Sequence, residues 1–163
     1  NEKKIIQEVR RLNVPLVELT GGEPLAQRQA TELLQSLVDE GFQVLIETSG
    51  ALSIAEVPKG VTVIMDLKCP GSEMSDRNLW SNLNYLKPSD EIKFVVANRS
   101  DFDWAADIIR ERNLSDLCQV LISPAWGLVK PEDLVGWILE SQVKARLNLQ
   151  LHKYIWSPRK KGV

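Results

Sequence analysis

The chain has 163 residues, of which 44% are hydrophobic and 26% charged, the usage of an ordinary globular protein of one compact domain. Twenty basic residues against 22 acidic ones leave a formal net charge of −2, so composition offers no electrostatic reason to bind nucleic acid or an anionic membrane. No apolar run approaches the length of a membrane span.

Strand-like and helix-like segments alternate along the chain. The first segment, residues 1–13, places Ile5, Ile6, Val9 and Leu12 at helical spacings of three and four. Further helices are predicted at 26–40, 75–86, 101–112 and 131–143. Strands are predicted at 14–20, 44–47, 61–68, 91–96, 118–123 and 147–152. Alternation of this kind favours a parallel sheet with helices outside it.

Each predicted strand has one apolar face and one face that bears polar groups. The polar faces carry Glu18, Thr20, Glu47, Asp66, Lys68, Glu91, Lys93, Gln119, Ser123, Asn148, Gln150 and His152. A fully buried parallel sheet is apolar on both faces, so these groups need water or a polar ligand. We therefore predict an α/β fold, an incomplete β/α barrel with outer helices and a charged ligand on the concave face. An antiparallel sheet with one wet face is the alternative, which the intervening helices disfavour.

The segment Thr20-Gly21-Gly22-Glu23-Pro24-Leu25 follows the first predicted strand. Two glycines at the carboxyl end of a strand allow the main chain to approach a charged amino or carboxylate group, and proline suits the first turn of the next helix. Taken alone, the same four residues Gly-Gly-Glu-Pro also occur in ordinary strand-to-helix turns.

Three further motifs end later strands: Glu47-Thr48-Ser49-Gly50, Asp66-Leu67-Lys68-Cys69-Pro70-Gly71, and the segment 149–156. Their order and spacing resemble a radical S-adenosylmethionine enzyme. Within that superfamily, Gln150-x-His152-Lys153 and the basic ending 159–163 are most similar to the 7-carboxy-7-deazaguanine synthases. The resemblance covers the whole chain and implies one core domain, residues 1–163, of the incomplete barrel type.

The resemblance also implies an activity. Such enzymes convert 6-carboxy-5,6,7,8-tetrahydropterin to 7-carboxy-7-deazaguanine with loss of ammonia, a carbon-nitrogen lyase reaction of queuosine and deazapurine biosynthesis. They use S-adenosylmethionine, a 4Fe–4S cluster and Mg²⁺, accept electrons from a reductant such as flavodoxin, and are typically homodimers.

Site residues follow from the same resemblance, position by position. The cofactor would be bound by Gly21, Gly22, Glu23, Asp66, Leu67, Lys68, Ser123, Pro124, Ala125 and Trp126. The pterin substrate would be bound by Thr20, Glu47, His152 and Val163. No residue is assigned a catalytic role.

The cluster-binding motif Cys-x-x-x-Cys-x-x-Cys, expected before the Gly-Gly turn, does not occur in this sequence. Its two cysteines, Cys69 and Cys118, follow the turn and are expected to be structural thiols in a reducing cytoplasm. We therefore expect the first strand, the cluster loop and the Mg²⁺ ligand to lie upstream, and this chain alone to be inactive.

Several interpretations of these residues remain open. Lys68 and Lys93 could form internal ion pairs with Asp66 or Glu91, without catalysis. His152, the single histidine, could be a hydrogen-bonded structural residue, and the Trp126 indole could simply pack against neighbouring side chains. At the level of function, the alternatives are a glycyl-radical-enzyme activase and a non-catalytic S-adenosylmethionine-binding remnant.

Overall fold

A computed structural model describes residues 2–160 of the chain. Within them, six strands form one sheet in which each neighbouring pair is parallel, in the order β1-β2-β3-β4-β5-β6. The strands are β1 (Leu16–Leu19), β2 (Gln43–Thr48), β3 (Val61–Leu67), β4 (Glu91–Val96), β5 (Gln119–Pro124) and β6 (Arg146–Leu147). The helices are α1 (Glu2–Leu12), α2 (Ala30–Asp39), α3 (Arg99–Glu111), α4 (Leu114–Leu117), α5 (Pro131–Ser141) and α6 (His152–Ile155).

Strand order equals chain order, which has a direct topological consequence. Each crossover moves one strand further in the same direction, and crossovers between parallel strands are right-handed. All connecting helices therefore lie on the same face of the sheet. Among the described residues β1 and β6 are the two edges and do not pair with each other. The predicted α/β fold, an open barrel with outer helices, is confirmed.

The core lies between the helices and the apolar strand faces. On β2, Val44 and Ile46 are at most 2% exposed, and they belong to the same buried cluster as Leu34 and Leu37 of α2. Burial alternates residue by residue along β2, β3 and β4, as the two-face pattern predicted. On β5 the alternation stops, since Leu121 and Ser123 on the other face are also buried.

The predicted helix 75–86 is not an α-helix. It is replaced by two short 3₁₀ segments, Ser75–Arg77 and Trp80–Tyr85. The buried Asn78 side chain accepts from the Lys68 main-chain N–H at 2.9 Å and donates to the Lys68 carbonyl at 3.0 Å. Asn82, also buried, similarly bonds the main chain of the β2–β3 loop. These long-range hydrogen bonds fix the segment in a shape that a regular helix could not keep.

The prediction of a last strand at 147–152 is correct only for its first residue, Leu147. Pairing with β5 covers only Arg146 and Leu147, with one further hydrogen bond from the Asn148 N–H to the Ile122 carbonyl at 2.9 Å. The chain then turns into α6, and Leu151 is 62% exposed. An edge strand pairs with one neighbour only, and this one buries few side chains, so its alternating pattern is not enough to keep the segment extended.

Smaller differences concern α2 and α4. Pro24 starts a single 3₁₀ turn, Pro24–Ala26, which ends at the extended Gln27, so α2 begins at Ala30 and not at residue 26. The four-residue α4 was not predicted. No helix within residues 2–160 has the length and apolar character needed to cross a membrane, the longest being α3 with 13 residues.

Candidate functional site

The turn after β1 leaves its main chain uncovered. Gly21 and Gly22 have φ angles of +98° and +60°, in the left-handed region that other residues rarely adopt. A Cβ atom built on either glycine would meet no heavy atom of the described protein within 4 Å. The main chain here is therefore open to a ligand, although binding itself stays a prediction.

Glu23 ties this turn to the end of β2. Its carboxylate accepts hydrogen bonds from the Ser49 N–H at 2.9 Å, the Thr48 hydroxyl at 2.9 Å and the Leu25 N–H at 3.1 Å, and the Ser49 hydroxyl also donates to it. Burial raises the pKa of Glu23, but these hydrogen bonds together hold that pKa below its ordinary value. The Glu23 side chain is thus engaged within the protein, and its carbonyl accepts the Ala26 N–H at 3.1 Å, so the predicted cofactor contact would fall to its main-chain N–H.

The ends of β1, β2 and β3 enclose a cavity of about 210 Å³, which we call the strand-end pocket. Its lining residues are Thr20, Gly21, Gly22, Glu47, Thr48, Ser49, Asp66 and Lys68. The structure thus brings together predicted cofactor residues from two strand ends and two predicted substrate residues. Leu67 differs from its neighbours, because its side chain is 1% exposed and lies in the core.

Two ion pairs lie on the polar face of the sheet at this pocket, one at the end of β3 and one between β4 and β2. Lys68 Nζ lies 2.7 Å from Asp66 Oδ2, and Lys93 Nζ lies 2.5 Å from Glu47 Oε1. Lys68 has the predicted partner, whereas Lys93 pairs with neither Asp66 nor Glu91, the partners considered from the sequence. Glu91 instead forms an ion pair with Arg146 at 2.9 Å.

Burial shapes the electrostatics of the same face. It raises the pKa of Asp66, an effect that the charges of Lys68 and Lys93 oppose. The Asp66 Oδ1 atom is buried without a hydrogen-bond partner among the described residues. The pKa of Glu18 is raised by burial and by the charge of Glu47, and lowered by Lys93. A face with unsatisfied polar capacity of this kind suits a polar ligand.

A second cavity, of about 430 Å³, lies between the loop after β5 and the segment that follows β6; we call it the β5 cavity. It is lined by Pro124, Trp126, Gly127, Leu128, Val129, Lys130, Pro131, Leu149, Gln150 and Tyr154. The Trp126 and Tyr154 rings meet edge to face, with 4.7 Å between centroids. The two cavities share no lining residue, so the structure does not bring the Ser123–Trp126 loop into the strand-end pocket.

Other predicted residues lie elsewhere. Ser123 is fully buried, and its hydroxyl has no hydrogen-bond partner within residues 2–160. The Ala125 N–H donates to the Val96 carbonyl at 2.8 Å, which fixes the loop. His152 is exposed at the start of α6 and lines neither cavity, contrary to the predicted position on a strand face. Val163 lies outside the described residues.

The cysteines do not form a metal site. Cys69 and Cys118 are 1% and 7% exposed, and burial raises the pKa of their thiols to about 12 and about 11. Within residues 2–160 no group of three or more cysteine, histidine or acidic residues could hold a metal ion. Residues 2–160 therefore do not fit an iron-sulfur cluster, whereas the uncovered Gly-Gly turn leaves space for the predicted S-adenosylmethionine.

Two contributions were missed from the sequence. Thr48 and Ser49 anchor the Gly-Gly turn through Glu23, and the visible signal was a pair of hydroxyl residues directly after Glu47 at a strand end. An internal ion pair of Lys93 was considered from the sequence, but its partner Glu47 was not, because the two residues lie 46 positions apart in the chain.

Comparison with known proteins identifies the family. No protein-family model matches the chain. Three relatives, each named 7-carboxy-7-deazaguanine synthase, align over nearly all of it. The protein of Koribacter versatilis is 43% identical over 100% of this chain and 79% of its own length. The proteins of Clostridium acetobutylicum and Chlorobaculum tepidum are 39% and 36% identical, over 99% and 98% of this chain and 76% and 74% of their own.

A solved structure agrees at the level of fold. The crystal structure of Streptococcus suis SuiB, which is bound to S-adenosylmethionine, superposes on this chain with a TM-score of 0.54 at 15% identity. The match covers 91% of this chain and 42% of the SuiB chain. At such low identity the likeness concerns the fold alone. The sequence identities, together with the Gly-Gly turn and the polar strand ends, lead to one conclusion: the chain belongs to the 7-carboxy-7-deazaguanine synthase family.

Proposed function

We propose that the protein acts in the ring contraction of 6-carboxy-5,6,7,8-tetrahydropterin to 7-carboxy-7-deazaguanine with loss of ammonia, a carbon-nitrogen lyase reaction. The observation that carries the proposal is the strand-end pocket. It joins the uncovered Gly-Gly main chain to polar side chains of three strand ends. The relatives' printed name, 7-carboxy-7-deazaguanine synthase, supports the product, and the substrate is proposed from the family resemblance.

Each part of the pocket has a proposed role. The main chain of Gly21 and Gly22 would receive the amino acid end of S-adenosylmethionine, which would supply a hydrogen-abstracting radical once a reduced cluster had given it one electron. Lys68 and Asp66 at the end of β3 face the ribose of its nucleoside. Their mutual ion pair holds both side chains in place, because each restricts the rotamers of the other.

The pterin is proposed to bind beside the cofactor. The Thr20 hydroxyl and the Glu47 carboxylate are joined by a hydrogen bond of 3.3 Å and both line the pocket. Pterins offer ring N–H donors and carbonyl acceptors, so a hydroxyl beside a carboxylate matches their edge. The protein's contribution is to orient two bound molecules and to exclude water between them.

The iron-sulfur cluster, Mg²⁺, a reductant such as flavodoxin and a homodimer are proposals from the family. The binding roles given to the strand-end pocket depend on none of them, whereas the radical chemistry needs the cluster and its reductant. The β5 cavity is proposed to take the adenine side of the cofactor, since an indole edge and apolar walls suit a flat ring. The alternative of a glycyl-radical-enzyme activase finds no support among the three relatives, all of which bear the synthase name.

The test begins with the intact denaturing mass of the purified protein. A sample at 18.4 kDa is expected to bind S-adenosylmethionine in calorimetry and to form no product. A heavier sample that includes a cysteine triad is expected, after anaerobic cluster reconstitution, to convert 6-carboxytetrahydropterin to 7-carboxy-7-deazaguanine, detected by mass spectrometry. Turnover by the verified 18.4 kDa chain would contradict the first expectation, and absence of pterin binding to the reconstituted protein would contradict the function.

A further inference from the structure

Lys93 occupies the middle of the polar face of the sheet. In the β3–β4 register it lies opposite Asp66, yet its ammonium group reaches past β3 to Glu47 on β2. The side chain of Lys93 is 12% exposed, and that of Glu47 is 29% exposed. An ammonium so far removed from water is a costly feature, since desolvation must be offset by its partners.

Both oxygens of Glu47 have a donor. Lys93 Nζ lies 2.5 Å from Oε1, and the Thr20 hydroxyl donates to Oε2 at 3.3 Å. Glu47 and Thr20 line the strand-end pocket, whereas Lys93 does not. Lys93 therefore acts on a bound molecule through other residues, of which Glu47 is the one that it contacts directly.

The charges around Lys93 show why a cation is needed there. Glu18, Glu47 and Asp66 place three carboxyl groups on neighbouring strands, against the two ammonium groups of Lys68 and Lys93. Lys68 is engaged with Asp66. The charge of Lys93 lowers the pKa of Glu18 and of Asp66, against the effect of burial.

The charged and titratable groups that face Lys93 come from every neighbouring strand. They are Glu18 of β1, Glu47 of β2, Asp66 and Lys68 at the end of β3, Glu91 of β4 and its ion-pair partner Arg146 of β6. Next to β4, strand β5 brings Gln119 and Ser123 to this face, which carry no charge.

We infer that Lys93 is a positioning residue for the pterin: it fixes the Glu47 carboxylate in the orientation that accepts hydrogen bonds from substrate N–H groups. The inference rests on the proposed function and extends it to a residue outside the pocket lining. A charge-assisted hydrogen bond across the intervening strand β3 holds Glu47 more firmly than the Thr20 hydroxyl alone.

A double-mutant cycle tests it in the full-length, cluster-loaded enzyme with S-adenosylmethionine present. Calorimetry measures the Kd of 6-carboxytetrahydropterin for the wild type, K93M, K93R, E47Q and the K93M/E47Q double variant. We expect K93M to weaken binding by about tenfold, the loss of one charge-assisted hydrogen bond, and K93R to restore most of it. In the E47Q background, K93M is expected to change Kd by less than about twofold, because coupled residues are not additive. K59M, which removes an exposed lysine from the β2–β3 loop, is the matched control and should bind as the wild type does.

A second readout does not depend on the substrate. Carboxyl NMR titration of K93M should show higher pKa values for Glu18 and Asp66 than in the wild type. A wild type that does not bind the pterin overturns the proposed function and the inference with it. A wild type that binds, combined with unchanged binding by K93M or with an equal loss in the E47Q background, overturns the inference alone. Unchanged titrations of both carboxyl groups in K93M overturn its electrostatic basis.

Discussion

Replacing Glu23 by glutamine probes the link between the Gly-Gly turn and the sheet. The carboxylate accepts two main-chain and two hydroxyl hydrogen bonds, and Thr48, one of the hydroxyl donors, is 1% exposed. Glutamine keeps one acceptor oxygen but turns an N–H₂ group toward the donors on the other side. The change therefore removes the charge from all four hydrogen bonds and breaks at least one of them.

The magnitude follows from the hydrogen bonds. One hydrogen bond to a charged group contributes about 1.5 to 3 kcal/mol net, and the lower half of that range applies because Glu23 is only partly buried. We expect E23Q to lower the free energy of unfolding by about 2 kcal/mol. For a domain of this size, that corresponds to a fall in Tm of roughly 4 to 8 °C. Cofactor affinity should fall as well, since the turn loses its fixed position.

The pH dependence supplies an independent check. The pKa of Glu23 is lower when folded than its ordinary value of 4.5, so its stabilising effect is complete above pH 4.5 and is lost as the pH falls through the folded pKa. The difference in Tm between the wild type and E23Q should therefore shrink below pH 4.5. E56Q, an exposed glutamate changed in the same way, is the control. Equal Tm and equal S-adenosylmethionine affinity for E23Q and the wild type at about pH 7 would refute the reasoning.

Further predictions concern the turn, the thiols and the core. G22V is expected to abolish S-adenosylmethionine binding in calorimetry and to retain the fold by circular dichroism. Its strain cost should be about 1 to 2 kcal/mol, because the β-branched side chain is forced to a φ of +60°. The control G22N tolerates that conformation and should be as stable as the wild type within error, and normal binding by G22V would contradict the role of this main chain. Cys69 and Cys118 should resist iodoacetamide at about pH 8 in the folded protein and react after denaturation, by mass spectrometry, because burial raises their pKa values to about 12 and about 11; rapid native alkylation would disprove this. D90A should lower the free energy of unfolding in urea by about 3 kcal/mol, because the buried Asp90 carboxylate accepts the Val63 N–H at 2.9 Å and its removal leaves that donor unpaired. A loss below about 1 kcal/mol would contradict this by showing that the site relaxes.

The local sequence pattern predicts some elements correctly and two of them, residues 75–86 and 147–152, incorrectly. Residues 75–86 have a helix-compatible sequence, but Asn78 binds the main chain at the end of β3, Asn82 binds that of the β2–β3 loop, and two 3₁₀ segments result. The segment that carries His152 alternates like a strand and nevertheless turns into α6, because it has no second strand beside it and little burial. In the first case the deciding partner lies far away in the chain, and in the second it is missing from the described sheet.

The sheet faces of β2, β3 and β4 and the uncovered Gly21-Gly22 main chain were predictable from local pattern, because strand periodicity and glycine conformation are properties of a few consecutive residues. The folded arrangement was needed to show that Glu23 is bound by the end of β2 and that Lys93 pairs with Glu47 across an intervening strand. The physical reason is register: an alternating pattern tells which face a side chain occupies, whereas the pairing of strands determines which side chains meet on that face.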